Sequence, residues 1–320
     1  MDTADMRIVY FGSDHFSATV LRALIEQEAG GIVEVITTPP QKAGRGLTVR
    51  PNPVAVLCAE KNIACSMPEQ LDDPVSARLA ALGPDLFVVV SYGKILPGSL
   101  LTVPRRMAIN LHPSLLPRWR GPSPMPFTLL SGDTEGGVSI ITVAEKVDAG
   151  ALIAQESFPV PPDMDSVTLE QKVLACGIPL LCTAIRTIAE GTAALRVQDE
   201  SAVTYARKLR KNDGLIDWQR PATEIHNQIR ALCEWPGAYT FLQGIRVKVL
   251  ASSLAGEERP GAAAGTIVDI DKKGSMAVAT GSGVIVLREV QAAGKKRMNA
   301  FDFSLGARIK NGDRFEVPSG

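Results

Sequence analysis

Apolar and polar positions change period repeatedly along residues 6–190. Arg7–Phe11 is a short apolar run, and Gly12 separates it from an amphipathic stretch over Phe16–Ile25. Ile32–Thr37 alternates with the period of two expected of a strand. Val54–Lys61 and Val75–Leu82 have helical spacing. The second is opened by Asp72-Asp73-Pro74, with proline in the first turn, where its missing N–H is not needed. Leu86–Val90 is apolar throughout, as in a strand covered on both faces. Ala108–His112 and Val138–Val143 read as further strands and Leu169–Ile188 as a long helix. Strands alternating with helices predict a Rossmann-like α/β domain with a mostly parallel sheet.

The periodicity fades over Gly191–Val203, so a first domain is expected over 1–190 and a linker over 191–206. A second domain is expected over 207–320. One helix follows the basic start of this last region, around Ala222–Cys233. Short strands punctuated by glycine come next, at Ala238–Leu242, Arg246–Ala251, Thr266–Ile270, Met276–Thr280 and Val284–Val290. That pattern predicts a small OB-like β-barrel.

Charge adds an asymmetry that the zero net charge conceals. Residues 1–206 hold 16 Lys and Arg against 22 Asp and Glu, whereas 207–320 hold 18 against 12. A basic half joined to an acidic one hints at an anionic macromolecular partner. Five cysteines without a CxxC pair argue against a disulfide framework or structural zinc. With no uninterrupted apolar run near 18 residues and no basic, apolar leader, a cytoplasmic monomer without metal or membrane association is expected. Neither GxGxxG nor GxxxxGK(S/T) occurs, which removes the usual basis for dinucleotide or nucleoside-triphosphate binding. GxSxG is absent too, which disfavours an elbow-type serine hydrolase.

The chemistry-bearing stretch is Ala108-Ile109-Asn110-Leu111-His112-Pro113. Alternate side chains of a strand share a face, so Ile109 and Leu111 would pack inward and Asn110 and His112 would point together to the other side. Pro113 keeps His112 extended, at the carboxyl end of a strand, where ligands bind in open α/β sheets. On spacing alone the pair could equally be satisfied by loop backbone. Asp148, in the turn Val147-Asp148-Ala149-Gly150, could hold its own backbone or complete an amide–imidazole–carboxylate set for acid–base work and oxyanion binding. His15 and His226 read as surface or packing histidines, and Trp235 and Tyr239 as barrel core.

Asn110-Leu111-His112-Pro113-Ser114-Leu115-Leu116-Pro117, followed by Arg118-Trp119-Arg120-Gly121, resembles the signature of the folate-dependent formyltransferases. Similar blocks run through the chain: Ser91-Tyr92-Gly93-Lys94-Ile95-Leu96-Pro97, Asp213-Gly214-Leu215-Ile216-Asp217-Trp218, Trp235-Pro236-Gly237-Ala238-Tyr239-Thr240 and Ala293-Gly294-Lys295-Lys296-Arg297-Met298. The resemblance implies transfer of a formyl group from 10-formyltetrahydrofolate to the amino group of initiator methionyl-tRNA through a tetrahedral intermediate. It implies Asn110, His112 and Asp148 as the catalytic trio. Ser114, Leu115, Leu116, Pro117, Val90, Tyr92, Ile95 and Leu96 would bind the folate. The connection Thr38–Pro53 would meet the acceptor stem through Lys42, Arg45 and Arg50. In the basic domain Lys208, Arg210, Lys211, Lys295, Lys296 and Arg297 would contact phosphates. One departure is Gly121-Pro122-Ser123-Pro124-Met125-Pro126, richer in proline than the family pattern.

Overall fold

The computed structural model describes residues 5–43, 48–255 and 261–316, without the side chains of 41–49. The chain divides into two compact units. Unit 1 comprises Met1–Pro124, Gly136–Phe158 and Glu170–Ala206, and unit 2 comprises Met125–Glu135, Pro159–Leu169 and Arg207–Gly320.

The strands of unit 1 are β1 (Arg7–Phe11), β2 (Gly31–Ile36), β3 (Gln41–Ala43), β4 (Thr48–Arg50), β5 (Cys65–Ser66), β6 (Leu86–Val89), β7 (Met107–His112), β8 (Glu135–Thr142) and β9 (Leu152–Pro159). Its helices are α1 (His15–Glu26), α2 (Pro53–Lys61), α3 (Asp73–Ala81), α4 (Gly98–Leu101), α5 (Pro124–Leu130, shared with unit 2) and most of α6 (Ser166–Glu190). Seven strands form one sheet in the order β5-β2-β1-β6-β7-β8-β9. The pairs from β5 to β7 are parallel, and β8 turns antiparallel against β7. This is the Rossmann-like sheet expected. The order reverses at β1, with β2 on one side and β6 on the other, so a crevice opens at the carboxyl ends of the central strands.

Both faces of the sheet are covered. Val9, Phe11, Phe87 and Val89 pack with Leu79 of α3 on one face. On the other, Tyr10 donates its hydroxyl to the Ser17 carbonyl of α1, 2.7 Å away. Asp14 and Ser17 form a reciprocal capping box that starts α1. Asn52 caps α2 and also donates to the Thr38 carbonyl (2.8 Å), closing the base of the 38–53 connection. That connection holds a two-stranded ribbon, β3 against β4.

The long helix expected over Leu169–Ile188 is α6. By length and composition alone, this helix is apolar enough to cross a membrane. Its apolar sequence is interrupted by Lys172, Gly177, Pro179, Thr183 and Arg186 and so holds no long uninterrupted run. Its side toward the sheet is buried at Val173, Leu181, Ile185 and Ile188, and Gly177 faces Val138 and Leu111.

Unit 2 contains α7 (Ala222–Ala231), β10 (Tyr239–Leu242), β11 (Ile245–Leu254), β12 (Ile267–Asp271), β13 (Ser275–Ala279), β14 (Val284–Ala292), β15 (Met298–Asn299) and α8 (Ala300–Gly306). The antiparallel order is β10-β11-β14-β13-β12. The segment after α8 joins the two edges: Ile267 N–H donates to Asp313 O, and Glu316 N–H donates to Phe241 O. The closed sheet surrounds Trp218, which stacks on Phe315 at 5.2 Å and donates its indole N–H to Thr240 Oγ1 (2.9 Å).

Candidate active site

β7 lies between β6 and β8, and its alternation delivers the expected pair. Ile109 and Leu111 are buried in the core, while Asn110 and His112 both reach Asp148, in the loop between β8 and β9. His112 Nδ1 is 3.6 Å from Asp148 Oδ2, and Asn110 Nδ2 is 3.5 Å from Oδ1. Both separations exceed a normal hydrogen bond, so the amide donor and the imidazole nitrogen are not committed to the carboxylate. Asp148 is fixed instead by the Gly121 N–H, which donates to Oδ2 at 2.7 Å.

The second imidazole nitrogen settles the tautomer. His112 Nε2 lies 3.0 Å from the Trp119 carbonyl, which can only accept, so Nε2 carries the hydrogen. Burial is the main influence on the ring and lowers its pKa, against the opposing pull of the Asp148 carboxylate and the Trp119 carbonyl. A neutral ring with hydrogen on Nε2 leaves Nδ1 as the basic atom, facing Asp148. A proton taken up there would sit beside a carboxylate.

The loops that hold this arrangement are conformationally demanding. Ser91, Trp119 and Asp148 have positive φ values of 46°, 65° and 52°, and they follow β6, β7 and β8 respectively. Such backbone clusters at working sites, and aspartate tolerates it better than most residues. Gly150 is obligatory for a different reason. A Cβ there would lie 1.6 Å from the Thr142 carbonyl oxygen.

The residues expected at the folate divide into two groups. Ser114 and Leu116 are buried and occupied internally: Ser114 Oγ donates to Arg118 O (2.7 Å), and the Leu116 carbonyl accepts from Gln155 Nε2 (2.7 Å). Leu115 covers Gly137, and Pro117 follows a cis peptide. Val90 and Leu96 are buried too, whereas Ile95 is exposed. Tyr92 is 2% exposed, and its hydroxyl has no hydrogen-bond partner among the described residues. Burial pushes its pKa up to about 12. Such an orphan donor invites a ligand.

Arg45 and the side chain of Lys42 fall outside the described residues. Arg50 is exposed and, with Ser13, His15, Arg22, Thr38 and Asn52, lines a cavity of about 730 Å³ at the carboxyl ends of β1 and β2. In unit 2, Lys208, Arg210, Lys211, Lys295, Lys296 and Arg297 are all exposed, and Arg297 is paired with Glu289. His226 is a packing residue, between Ser252 Oγ (3.0 Å) and Pro162 O (3.2 Å). Trp235 corrects the sequence reading. It is 53% exposed, and Trp218 takes the core position instead. Tyr239 is half-buried, with the Arg246 guanidinium 3.8 Å over its ring.

Sequence reasoning missed four contributors: the Trp119 carbonyl, the Gly121 N–H, Arg120 and Gln198. The first two act through backbone, which side-chain identity does not announce. Gln198 donates to the carbonyls of Asp148 and Gly150, both at 2.8 Å.

Comparison with known proteins shows the family of the chain. Residues 6–185 match the Formyl transferase family, and residues 208–308 match Formyl transferase, C-terminal domain. A methionyl-tRNA formyltransferase of Symbiobacterium thermophilum is 40% identical over 98% of this chain and 96% of its own length. One from Methylobacillus flagellatus is 39% identical, over 97% and 99%. Among solved structures, an N-formyltransferase from Helicobacter canadensis with folinic acid and dTDP-3-aminofucose has a TM-score of 0.66 at 17% identity, covering 88% of this chain and 98% of that one. HypX from Aquifex aeolicus with tetrahydrofolic acid gives 0.61 at 16%, covering 95% and 48%. These two show shared fold.

Proposed function

The chain belongs to the formyltransferase family, and on that premise we propose that it moves the formyl group of 10-formyltetrahydrofolate to the free amino group of initiator methionyl-tRNA. The observation that carries this reading is the convergence of Asn110, His112 and Asp148 at the end of β7. Full-length similarity to methionyl-tRNA formyltransferases supports the choice of amine. The buried Tyr92 hydroxyl, without a partner among the described residues, supports a polar ligand beside β6.

The neutral amine attacks the formyl carbon, and the carbonyl oxygen becomes an oxyanion. Asn110 Nδ2, at a long 3.5 Å from Asp148 Oδ1, donates to that oxyanion. The proton displaced from the amine goes to His112 Nδ1, and the resulting imidazolium lies 3.6 Å from the Asp148 carboxylate. The C–N10 bond then breaks and the same proton passes to the folate nitrogen. The products are the N-formyl-aminoacyl ester and tetrahydrofolate. No enzyme nucleophile is needed, because the substrate supplies one. Lys208, Arg210, Lys211, Lys295, Lys296 and Arg297 bind RNA phosphates in this reading, with Arg45, Lys42 and Arg50 at the acceptor stem.

The test offers 10-formyltetrahydrofolate with one acceptor at a time: charged initiator tRNA, uncharged tRNA, glycinamide ribonucleotide, an aminosugar nucleotide or buffer. Formylation of the charged tRNA alone is expected. Transfer to the ribonucleotide or sugar, or formate release in buffer at the same rate, would overturn the assignment.

A further inference from the structure

We infer that Gln198 is a positioning residue that acts through Asp148, braced from behind by Arg120 and Glu200. The inference rests on the reading of Asp148 as the partner of His112. Gln198 is 5% exposed, and every hydrogen-bonding valence of its amide is used. Nε2 donates to the carbonyls of Asp148 and Gly150, each at 2.8 Å. Oε1 accepts from Arg120 Nε (3.0 Å) and Nη2 (2.8 Å). Two donors and two acceptor sites are all an amide side chain has, so none remains for substrate. The orientation is fixed as well. A flipped amide would set its oxygen against two carbonyls and its NH₂ against a guanidinium.

The target of this clamp is the turn that most needs one. Asp148 has φ +52°, and Gln198 grips the carbonyl of that residue and the carbonyl two residues later. The clamp is itself held at several points. Arg120 is 1% exposed, its Nη2 also donates to Glu200 Oε1 at 2.7 Å, and Glu200 is held by Lys146 at 3.2 Å. The backbone of Arg120 is locked too: its N–H donates to Thr204 O (2.9 Å), and its carbonyl accepts from Ala206 N–H (2.8 Å). One feature argues for orientation over stability. Arg120 Nη1 is buried without a partner among the described residues, an unfavourable placement for a guanidinium kept only as packing.

Gln198→Glu tests this. The variant keeps the size and the Arg120 contact but sets a carboxylate oxygen against two carbonyls, releasing the turn. Supporting groups that orient a reacting group are typically worth about 10–100-fold in activity. Turnover on charged initiator tRNA is expected to fall by about that factor, with KM for tRNA and for the folate within about threefold and circular dichroism unchanged. Single-turnover rates then close a double-mutant cycle with Asp148→Asn, in which Gln198→Glu adds less than about twofold. An equal loss in both backgrounds, or wild-type turnover in Gln198→Glu while Asp148→Asn is impaired, would overturn the inference. Wild-type turnover in Asp148→Asn would instead defeat the catalytic reading beneath it. Should Gln198→Glu fold poorly, Glu200→Gln, on the exposed end of the brace, is expected to lower kcat about two- to fivefold with the same KM pattern; an unaltered kcat there would count against the brace.

Discussion

Replacing Asp148 by asparagine isolates the charge of the carboxylate from its shape. The Asn side chain can still accept from Gly121 N–H, now at 2.7 Å, so the loop keeps its anchor. What disappears is the anion 3.6 Å from His112 Nδ1. At that separation an imidazolium–carboxylate pair is worth about 4–5 kcal/mol at an effective dielectric of about 20, and about 1 kcal/mol in bulk water. The two side chains are 4% and 13% exposed, which favours the larger figure. If the proton visits Nδ1 in the transition state, kcat falls between about sevenfold and a few thousandfold, nearer the upper end. A second signature concerns pH. His112 takes up a proton only when neutral, so activity declines as pH drops through its pKa. Burial holds that pKa low and the Asp148 carboxylate pushes it back up. Without the carboxylate the pKa falls further, and the acid limb of kcat/KM moves to lower pH. Initial rates of formyl transfer to charged initiator tRNA, measured across pH for both proteins, supply both numbers. A kcat within threefold of the parent, or a large loss with an unmoved acid limb, would refute the electrostatic role.

Two further outcomes follow from other parts of the molecule. Gly150→Ala drives a Cβ against Thr142 O and breaks the two bonds between Thr142 and Ala151, each 2.9 Å. A loss of about 2–4 kcal/mol is expected, lowering the Tm of unit 1 by roughly 4–16 °C together with turnover; a shift below 1 °C would contradict the packing. Lys295→Ala and Lys296→Ala should each reduce the slope of log tRNA affinity against log salt by roughly 0.7–0.9, as for one phosphate contact. Arg297→Ala should reduce it less, because its guanidinium already faces Glu289; equal effects at all three would show that the pair opens on binding.

The sheet was legible because its strands obey simple periods: β1 and β6 are buried on both faces and read as unbroken apolar runs. β7 alternates, and that alternation brought Asn110 and His112 to one side. β9 was not legible. Its pattern over Leu152–Pro159 is mixed in burial, as befits an edge strand. The tryptophans were misjudged for a related reason. Nothing local distinguishes Trp218, buried between Thr240 and Phe315, from the exposed Trp235. Residues 191–206 lack periodicity because their order comes from long-range hydrogen bonds of single side chains and bridges such as Arg120 to Tyr205. Composition does not record such contacts. Polar pairs chosen by a strand can be read from a sequence; the backbone carbonyl that selects a histidine tautomer cannot.

Gln198 and Glu200 lie between the two stretches that match the family, 6–185 and 208–308. A recombinant exchange of C-terminal domains among relatives that splices at residue 190 would graft a foreign segment against the Asp148 turn. A splice after Ala206 would carry the native segment along. Chimeras made at the two junctions should therefore differ in formyl-transfer rate even when the grafted domain is the same.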